Sequence, residues 1–253
     1  MLTVQVSLLS ERGGRRYNED ACGHWHSERH LCCVLADGAG GHGGGDVASR
    51  LAVQQLIGRF ASQPSSSGPA LGGLLEDPNR ALIDQRVPGT ASADMHSTIV
   101  CLVLDFIGHR AHWAHAGDSR LYWFRAARLL TRTRDHSLVQ SLVDAGMLAE
   151  AELCQHSQRS ELRSALGIAP EALEVSHADG GQTVEPGDVF MLCTDGLWEY
   201  VDEATLERTL AGAATPQDWL DALSACVLQA TAGKASHDNF SALVVWTDAV
   251  PAP

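Results

Sequence analysis

Predicted strands in this sequence follow one another in blocks, and this order constrains the fold more than any other feature. Eight short segments are rich in β-branched or aromatic residues and bounded by turn residues, which is the pattern of strands. They cover residues 4–9, 30–36, 98–106, 111–116, 120–125, 173–177, 188–193 and 240–247. A parallel sheet needs a crossover between consecutive strands, and strict alternation of strands and helices is missing here. The order therefore predicts an α+β fold in which helices flank antiparallel sheets.

Helical periodicity predicts five helices that would cover those sheets. They span residues 46–60, about 74–86, 137–145, 203–210 and 216–232. The last helix has the clearest boundaries, because Thr215 can cap it, Pro216 lies in its first turn and Gly233 follows it. Serine, glycine and proline residues predict a surface loop over 65–73.

The domain organisation is predicted to be simple. A chain of 253 residues can bury one sizeable core. We find neither an internal repeat nor a composition shift typical of a linker, so residues 1–253 are predicted to form a single domain. The stretch 146–167 is polar and weakly patterned, which predicts a mobile flap.

Charge and cysteine usage limit the partners and the compartment. The formal net charge is -13, from 31 acidic and 18 basic residues, so phosphate backbones and anionic lipids would be repelled. We therefore expect no nucleic-acid partner and no membrane partner. Seven cysteines without a C-x-x-C pair predict reduced thiols in the cytoplasm. The first ten residues lack the pattern of a signal peptide, and the longest apolar run, 99–107, is too short to span a bilayer.

Acidic residues recur where predicted strands meet turns. These acidic residues are Glu19–Asp20, Asp37, Asp118, Asp195 and Asp238. A carboxylate at the end of a buried strand is partly desolvated, and this is costly unless a cation or an arginine compensates its charge. Any one Asp-Gly pair on its own is most simply a hairpin turn. The repetition of the arrangement is what favours a shared site.

Divalent cations would cancel the repulsion among carboxylates gathered at one end of a sandwich. Hard oxygen ligands with few histidines favour magnesium or manganese over zinc. Two such ions lower the pKa of a bridging water and clamp an in-line displacement at phosphorus. Arg15, four residues before Glu19, is the candidate that binds the substrate phosphate.

Other chemistries fit the sequence less well. The pattern Gly38-x-Gly40-x-x-Gly43 matches a dinucleotide-binding fingerprint, but Asp37 intervenes and the β-α alternation is missing. The sequence contains no C-x5-R motif for a cysteine phosphatase and no D-x-D motif for an aspartyl-phosphate enzyme. His109, His112 and His115 are spaced by three, so on a strand they cannot all point to one face and bind zinc.

Six motifs together resemble the metal-dependent protein phosphatases of type 2C, in their short bacterial form. Their order along the chain is that of the family, and they span nearly all of it. The motifs are Arg15-Arg16-Tyr17-Asn18-Glu19-Asp20, Asp37-Gly38-Ala39-Gly40-Gly41-His42, Gly117-Asp118-Ser119-Arg120, Asp135-His136-Ser137, Cys193-Thr194-Asp195-Gly196-Leu197-Trp198 and Asp238-Asn239.

The resemblance implies a four-layer α-β-β-α sandwich with two Mn²⁺ or Mg²⁺ ions at one end. By that resemblance Asp37 bridges both ions, Asp195 and Asp238 hold the first, and the Gly38 carbonyl holds the second. Glu19 and Asp20 act there directly or through water. Asp118, with Asp195, matches the position of a third, weaker metal. Arg15 binds the phosphate, and Asp37, Asp195 and Asp238 are the catalytic set.

The resemblance also implies an activity. A hydroxide bridging the two metals would hydrolyse phosphoserine and phosphothreonine in proteins, reversing a bacterial Ser/Thr kinase; we expect a cytoplasmic monomer. Three features depart from the family pattern. Ala39 replaces a histidine that some relatives, mainly eukaryotic, use as leaving-group acid, so a metal-bound or bulk water is expected to protonate the serine oxygen. His96 replaces a glycine and is expected to reshape the start of its strand, and 147–167 cannot be matched in detail. His42 is interpreted as structural. A pseudophosphatase that binds phosphoproteins without turnover stays open.

Overall fold

A computed structural model describes residues 2–40 and 44–249 as two antiparallel sheets flanked by helices. The strands are β1 (Leu2–Glu11), β2 (Asp20–His26), β3 (His30–Ala39), β4 (His96–Ser97), β5 (Ile99–Asp105), β6 (Arg110–Ala116), β7 (Arg120–Arg125), β8 (Arg128–Arg132), β9 (Ser176–His177), β10 (Gln182–Thr183), β11 (Val189–Cys193) and β12 (Phe240–Ala249). The helices are α1 (Gly45–Ser62), α2 (Gly68–Leu74), α3 (Glu76–Asp84), α4 (Leu138–Asp144), α5 (Asp195–Trp198), α6 (Glu203–Gly212) and α7 (Pro216–Thr231). Three short 3₁₀ helices cover Ala91–Asp94, Glu150–Gln155 and Pro170–Ala172.

One sheet has the order β1-β12-β11-β7-β8 and the other has the order β10-β6-β5-β3-β2, with β4 paired to β3 and β9 to β6. Alternating side chains of the buried strands serve two different cores. In β3, Cys33 and Leu35 point to the core between the sheets, whereas Cys32 and Val34 point to the core under α1. A third core lies under α6 and α7. The predicted four-layer sandwich is confirmed, because a strand buried on both faces needs an apolar partner layer on each side.

The helix boundaries follow local capping signals. Thr215 caps α7 by accepting a hydrogen bond from the Asp218 amide at 3.1 Å, as predicted. Ser137 caps α4 in the same way.

The predicted surface loop over 65–73 is wrong, because Gly68–Leu74 is a helix. Ser67 accepts a hydrogen bond from the Ala70 amide and Pro69 lies in the first turn, so the residues that suggested a loop are a helix start. The buried side chain of Leu71 holds this turn against the core.

Strand prediction failed in two ways. The predicted strand 173–177 shrinks to Ser176–His177, because Pro170–Ala172 is a 3₁₀ turn. The strands β2 and β8 were not predicted. In β2, the small residues Ala21 and Gly23 weaken the strand pattern. This omission matters, because β2 carries part of the site.

Two observations bear on the environment of the chain. Across residues 2–40 and 44–249, no helix combines the length and apolar character that crossing a bilayer requires. All seven cysteines are free thiols.

The predicted flap is partly attached to the rest of the fold. Isolated backbone bridges join Leu162 to Ser137 and Leu166 to Ser97, and both lie in the second half of the flap.

Candidate metal centre

Acidic side chains from both sheets meet in one open cleft of about 970 Å³. Seven of the eight residues proposed from the sequence line it: Arg15, Glu19, Asp37, Gly38, Asp118, Asp195 and Asp238. The eighth, Asp20, lies directly opposite Asp37 in the antiparallel pair of β2 and β3. The fold therefore brings together the acidic residues that the sequence singled out. His42, interpreted above as structural, lies outside the described residues.

The main chain at Asp37 is held on both sides. Its amide donates to Thr98 Oγ1 at 2.9 Å, and its carbonyl oxygen accepts from the Thr98 amide at 2.8 Å and from Ser97 Oγ at 3.0 Å. Thr98 Oγ1 also lies 2.7 Å from Ser119 Oγ. These bonds fix the backbone from which the Asp37 carboxyl projects.

Gly38 is a glycine because the backbone of α1 passes against it. A Cβ atom at this position would collide with the carbonyl oxygen of Gly45. The Gly38 amide donates to the Glu19 carbonyl at 3.0 Å, which ties the segment before β2 to β3. Gly38 therefore brings the first turn of α1 and Glu19 together at the cleft.

Asp20 and Asp195 belong to different sheets but lie near each other, with Asp195 in the lining of the cleft. Asp20 Oδ2 accepts from Thr194 Oγ1 at 3.0 Å, and Thr194 directly precedes Asp195 at the end of β11. Asp195 in turn lies close enough to Asp37 for its charge to raise the pKa of that carboxyl. Thr194 is thus the side chain that joins the two sheets at this point.

Asp238 forms an ion pair with Arg15, with Oδ2 2.6 Å from Nη2, and both side chains are about half exposed. A surface pair of this kind is weak, so both groups can exchange partners at little cost. Arg15 keeps further N–H donors, because a guanidinium has five of them.

Asn239 organises the loop that carries Arg15 and Glu19. Its Oδ1 accepts from the Glu19 amide at 2.8 Å, and its Nδ2 donates to the carbonyl oxygens of Arg12 at 2.6 Å and Tyr17 at 2.9 Å. Sequence reasoning used Asn239 only as part of a motif and missed this role. The three backbone groups that Asn239 bonds lie more than 200 positions away in sequence, so no local pattern indicates this role.

A buried network supports Asp118 from below. Trp198 Nε1 donates to the Asp118 carbonyl at 3.0 Å, and the Arg120 guanidinium lies 3.5 Å from the centre of the Trp198 ring. Arg120 also forms a two-pronged ion pair with buried Asp135, at 2.8 and 2.7 Å. Sequence analysis found these residues in three separate motifs without connecting them.

Burial and mutual repulsion raise the pKa values of the gathered carboxyls. Burial, followed by the neighbouring carboxylates, raises the pKa of Asp37 and of Asp118 well above the usual range. Burial also raises the pKa of Asp20 and of Asp195 to about 7. The pKa of Glu19 is raised by burial first and by Asp46 second. Such a site disfavours negative charge unless a cation compensates it.

The donor set fits hard divalent cations. Asp20 Oδ1 and Asp195 Oδ1 are buried oxygens with no hydrogen-bond partner among the described residues. Within residues 2–40 and 44–249, no three His, Cys, Asp or Glu side chains already converge to surround a single ion. Magnesium does not require this, since it keeps several waters and is often bound by one or two carboxylates. Pairs of carboxylates such as Asp20 with Asp37 fit that mode of binding.

The antiparallel pairing removes the dinucleotide-binding alternative, because β3 pairs antiparallel with β2 and with β5. A dinucleotide fingerprint works in a parallel β-α-β unit. The zinc alternative also fails in the described chain. His112 and His115 are three residues apart in β6, so they point to opposite faces, and His109 precedes that strand.

The family model and the relatives that match this chain are protein phosphatases. Residues 10–232 match the family model described as protein phosphatase 2C. The chain is 33% identical over 211 residues to the serine/threonine protein phosphatase PstP of Mycobacterium tuberculosis, covering 83% of this chain and 39% of the relative. It is 32% identical over 200 residues to the protein phosphatase PhpP of Streptococcus pneumoniae, covering 77% and 79% of the two chains.

The crystal structure of the catalytic domain of PstP in complex with two manganese ions superposes with a TM-score of 0.80. That superposition covers 98% of this chain and 100% of the other, at 27% sequence identity. The chain thus spans 39% of the full length of the mycobacterial relative but the whole of the compared catalytic domain.

Proposed function

This chain belongs to the protein phosphatase 2C family, and from that premise we propose that it is a metal-dependent hydrolase of phosphoserine and phosphothreonine in proteins. The observation that carries the proposal is the set of carboxyls around one cleft. Burial and mutual repulsion raise the pKa of Asp37, Asp20 and Asp195, and two of their buried oxygens accept no hydrogen bond in the described chain. Divalent cations are the ligands that such a site is built to receive.

We assign the metal ligands as the family resemblance suggests. Asp37 would be shared by two ions, with Asp195 and Asp238 on one side. The Gly38 carbonyl, Glu19 and Asp20 would serve the other ion, directly or through water. Asp118 with Asp195 would hold a third, weaker ion. Six of these seven residues line the cleft, and the seventh, Asp20, lies opposite Asp37, which supports the assignment.

Two ions of this kind supply the chemistry, because they lower the pKa of a water molecule and neutralise the oxygens of the phosphate. The protein's own residues position the substrate. Arg15 would bind the phosphate through N–H groups that the Asp238 ion pair leaves free. Asn239 holds the Arg15 loop against the main chain and so limits how far this guanidinium can move.

The finer points of the proposal concern the metal and the partners. We propose manganese or magnesium as the working ions; the manganese-bound PstP domain supports this. Substrates would be proteins phosphorylated by a Ser/Thr kinase, as the names of the relatives suggest. A cytoplasmic location is supported by seven free thiols. A monomeric state, and a single catalytic domain over 1–253 with a flap at about 146–167, stay predictions.

The test is hydrolysis of a phosphothreonine peptide by the purified chain, with manganese chloride or with EDTA. We expect turnover only with the metal, and we expect Asp37→Asn to abolish both turnover and manganese binding measured by calorimetry. Asp221→Asn is the matched control, because Asp221 is an exposed aspartate on α7. Metal-independent turnover, or wild-type rates for Asp37→Asn, would refute the proposal. Phosphopeptide binding without any turnover would favour the pseudophosphatase.

A further inference from the structure

One imidazole borders the cleft within the part of the chain that the structure describes, and it belongs to His96. His96 lies in β4, directly opposite Ala39 of β3. Side chains opposite each other in an antiparallel pair share a face, and so do residues two apart in one strand. His96 therefore projects from the face of the sheet that also carries Asp37, across from a methyl group that leaves room for it.

The surroundings of His96 hold the ring without burying it. Its Nε2 lies 3.1 Å from Oδ1 of Asp94, and the His96 side chain is 31% exposed. Asp94 itself is 91% exposed, so this acceptor can be given up to water at little cost. Because Asp94 can leave Nε2 at little cost, it does not prevent His96 from donating the Nε2 proton to another acceptor.

Arg86 and Gly167 occupy other sides of the ring. Arg86 Nη2 lies 3.3 Å from both ring nitrogens, which places it over the ring face rather than at either lone pair, and it donates to the Met95 carbonyl at 2.8 Å. A Cβ atom on Gly167 would come within 3.1 Å of His96 Nδ1, so the glycine leaves that edge of the ring free. The ring is thus oriented by a cation on its face and a carboxylate at Nε2.

The proposed reaction needs a proton at the leaving oxygen. The alkoxide of serine or threonine is a poor leaving group, and a positioned acid can lower the barrier by protonating it in the transition state. Histidine is the side chain that most often does this near neutral pH. The carboxyls that line the cleft are all assigned above to cations, so the acid has to be another group.

We propose that His96 is the general acid of this phosphatase, a role that rests on the proposed function. As the bond between phosphorus and the serine or threonine oxygen breaks, the imidazolium gives its proton to that oxygen. The new bond joins phosphorus to the oxygen of water, and the proton lost by that water returns to the imidazole through solvent. The products are the free hydroxyl of the protein substrate and inorganic phosphate.

The test compares two leaving groups in manganese buffer. In His96→Asn, kcat for a phosphothreonine peptide should fall about 100-fold or more, the usual contribution of general acid catalysis. Since p-nitrophenolate is a stable anion that leaves unprotonated, kcat for p-nitrophenyl phosphate should change less than about 3-fold. The dissociation constant of inorganic phosphate, measured by calorimetry, should stay unchanged. His24→Asn, an exposed histidine on β2, is the matched control and should behave as wild type.

Three outcomes would overturn the role of His96. They are an equal loss on both substrates, an undiminished rate on the phosphopeptide, and a tenfold weaker affinity for phosphate. Asp94→Asn, at an exposed position that cannot affect folding much, should show a smaller loss confined to the phosphopeptide. If wild-type protein hydrolyses neither substrate, the proposed function itself fails, which is a different result from a selective failure of His96.

Discussion

Asp20 and Asp37 lie directly opposite each other in neighbouring antiparallel strands, close enough for the Asp20 carboxylate to raise the pKa of Asp37. Opposed like charges destabilise a sheet by themselves. A divalent ion bound by both of them, as proposed above, would replace the repulsion with attraction.

Stability in EDTA should fall as the pH rises. The pKa values of Asp20 and Asp195 are about 7 in the folded chain, above that of an unfolded aspartate at about 3.9. The folded state therefore binds more protons, and its stability declines from about pH 4 to about pH 7. We expect the melting temperature to drop by about 5 °C or more across this range in calorimetry.

Manganese should remove most of that pH dependence, because an ion that binds only the folded state adds stability where the carboxylates are ionised. Asp20→Asn in EDTA should also flatten the profile, by removing one of the titrating groups. A melting temperature in EDTA that rises from pH 5 to pH 7 would show that repulsion among these carboxyls is unimportant.

Arg15→Ala should act mainly on substrate binding. We expect KM for a phosphopeptide to rise by about 10- to 100-fold, since a charge-assisted contact with phosphate contributes about 1.5–3 kcal/mol. Arg15→Lys should recover part of the loss, because lysine keeps the charge but not the two-pronged geometry. Stability should change little, as the Arg15–Asp238 pair is about half exposed. A normal KM in steady-state kinetics for Arg15→Ala would exclude it from phosphate binding.

Arg120→Ala should strongly destabilise the fold. It leaves the Asp135 carboxylate buried without its partner, which typically costs about 3–5 kcal/mol, and it also exposes the face of Trp198. Arg128→Ala is the matched control, because the Arg128–Glu207 pair has an arginine that is 78% exposed and should contribute less than about 1 kcal/mol. Urea unfolding of both variants measures the difference. Equal effects would mean that the buried pair contributes no more than a surface pair.

Asn239→Ala should loosen the Arg15 loop as well as weaken the fold. Three hydrogen bonds to backbone groups are lost, at about 1 kcal/mol each. Ser236→Ala, which removes a single exposed bond to the Gly14 carbonyl, is the control and should be close to neutral. Hydrogen exchange of residues 12–19 should accelerate in the Asn239 variant alone. Unchanged exchange would mean that other contacts hold the loop.

Sequence motifs were sufficient to predict which acidic residues the fold gathers at or beside the cleft, but not the contacts that support them. The acidic residues stand beside glycines and strand ends, and that local pattern carries the signal. The Arg120–Asp135–Trp198 network joins residues 15 to 78 positions apart, and nothing in their immediate neighbours indicates the contact. The helix at Gly68–Leu74 shows the opposite difficulty, because Ser67 and Pro69 start a helix as readily as a turn.

By itself, the sequence predicted antiparallel sheets flanked by helices, since hydrophobic periodicity, caps and turn residues act over a few positions along the chain. It also predicted which carboxyls gather at or beside the cleft. Only the tertiary structure decided that Asp20 faces Asp37, that Arg15 pairs with Asp238, and that His96 stands across from Ala39. These relationships depend on strand register and on loop packing. Both are set by the combined burial of many distant residues, so no short segment of the sequence specifies them.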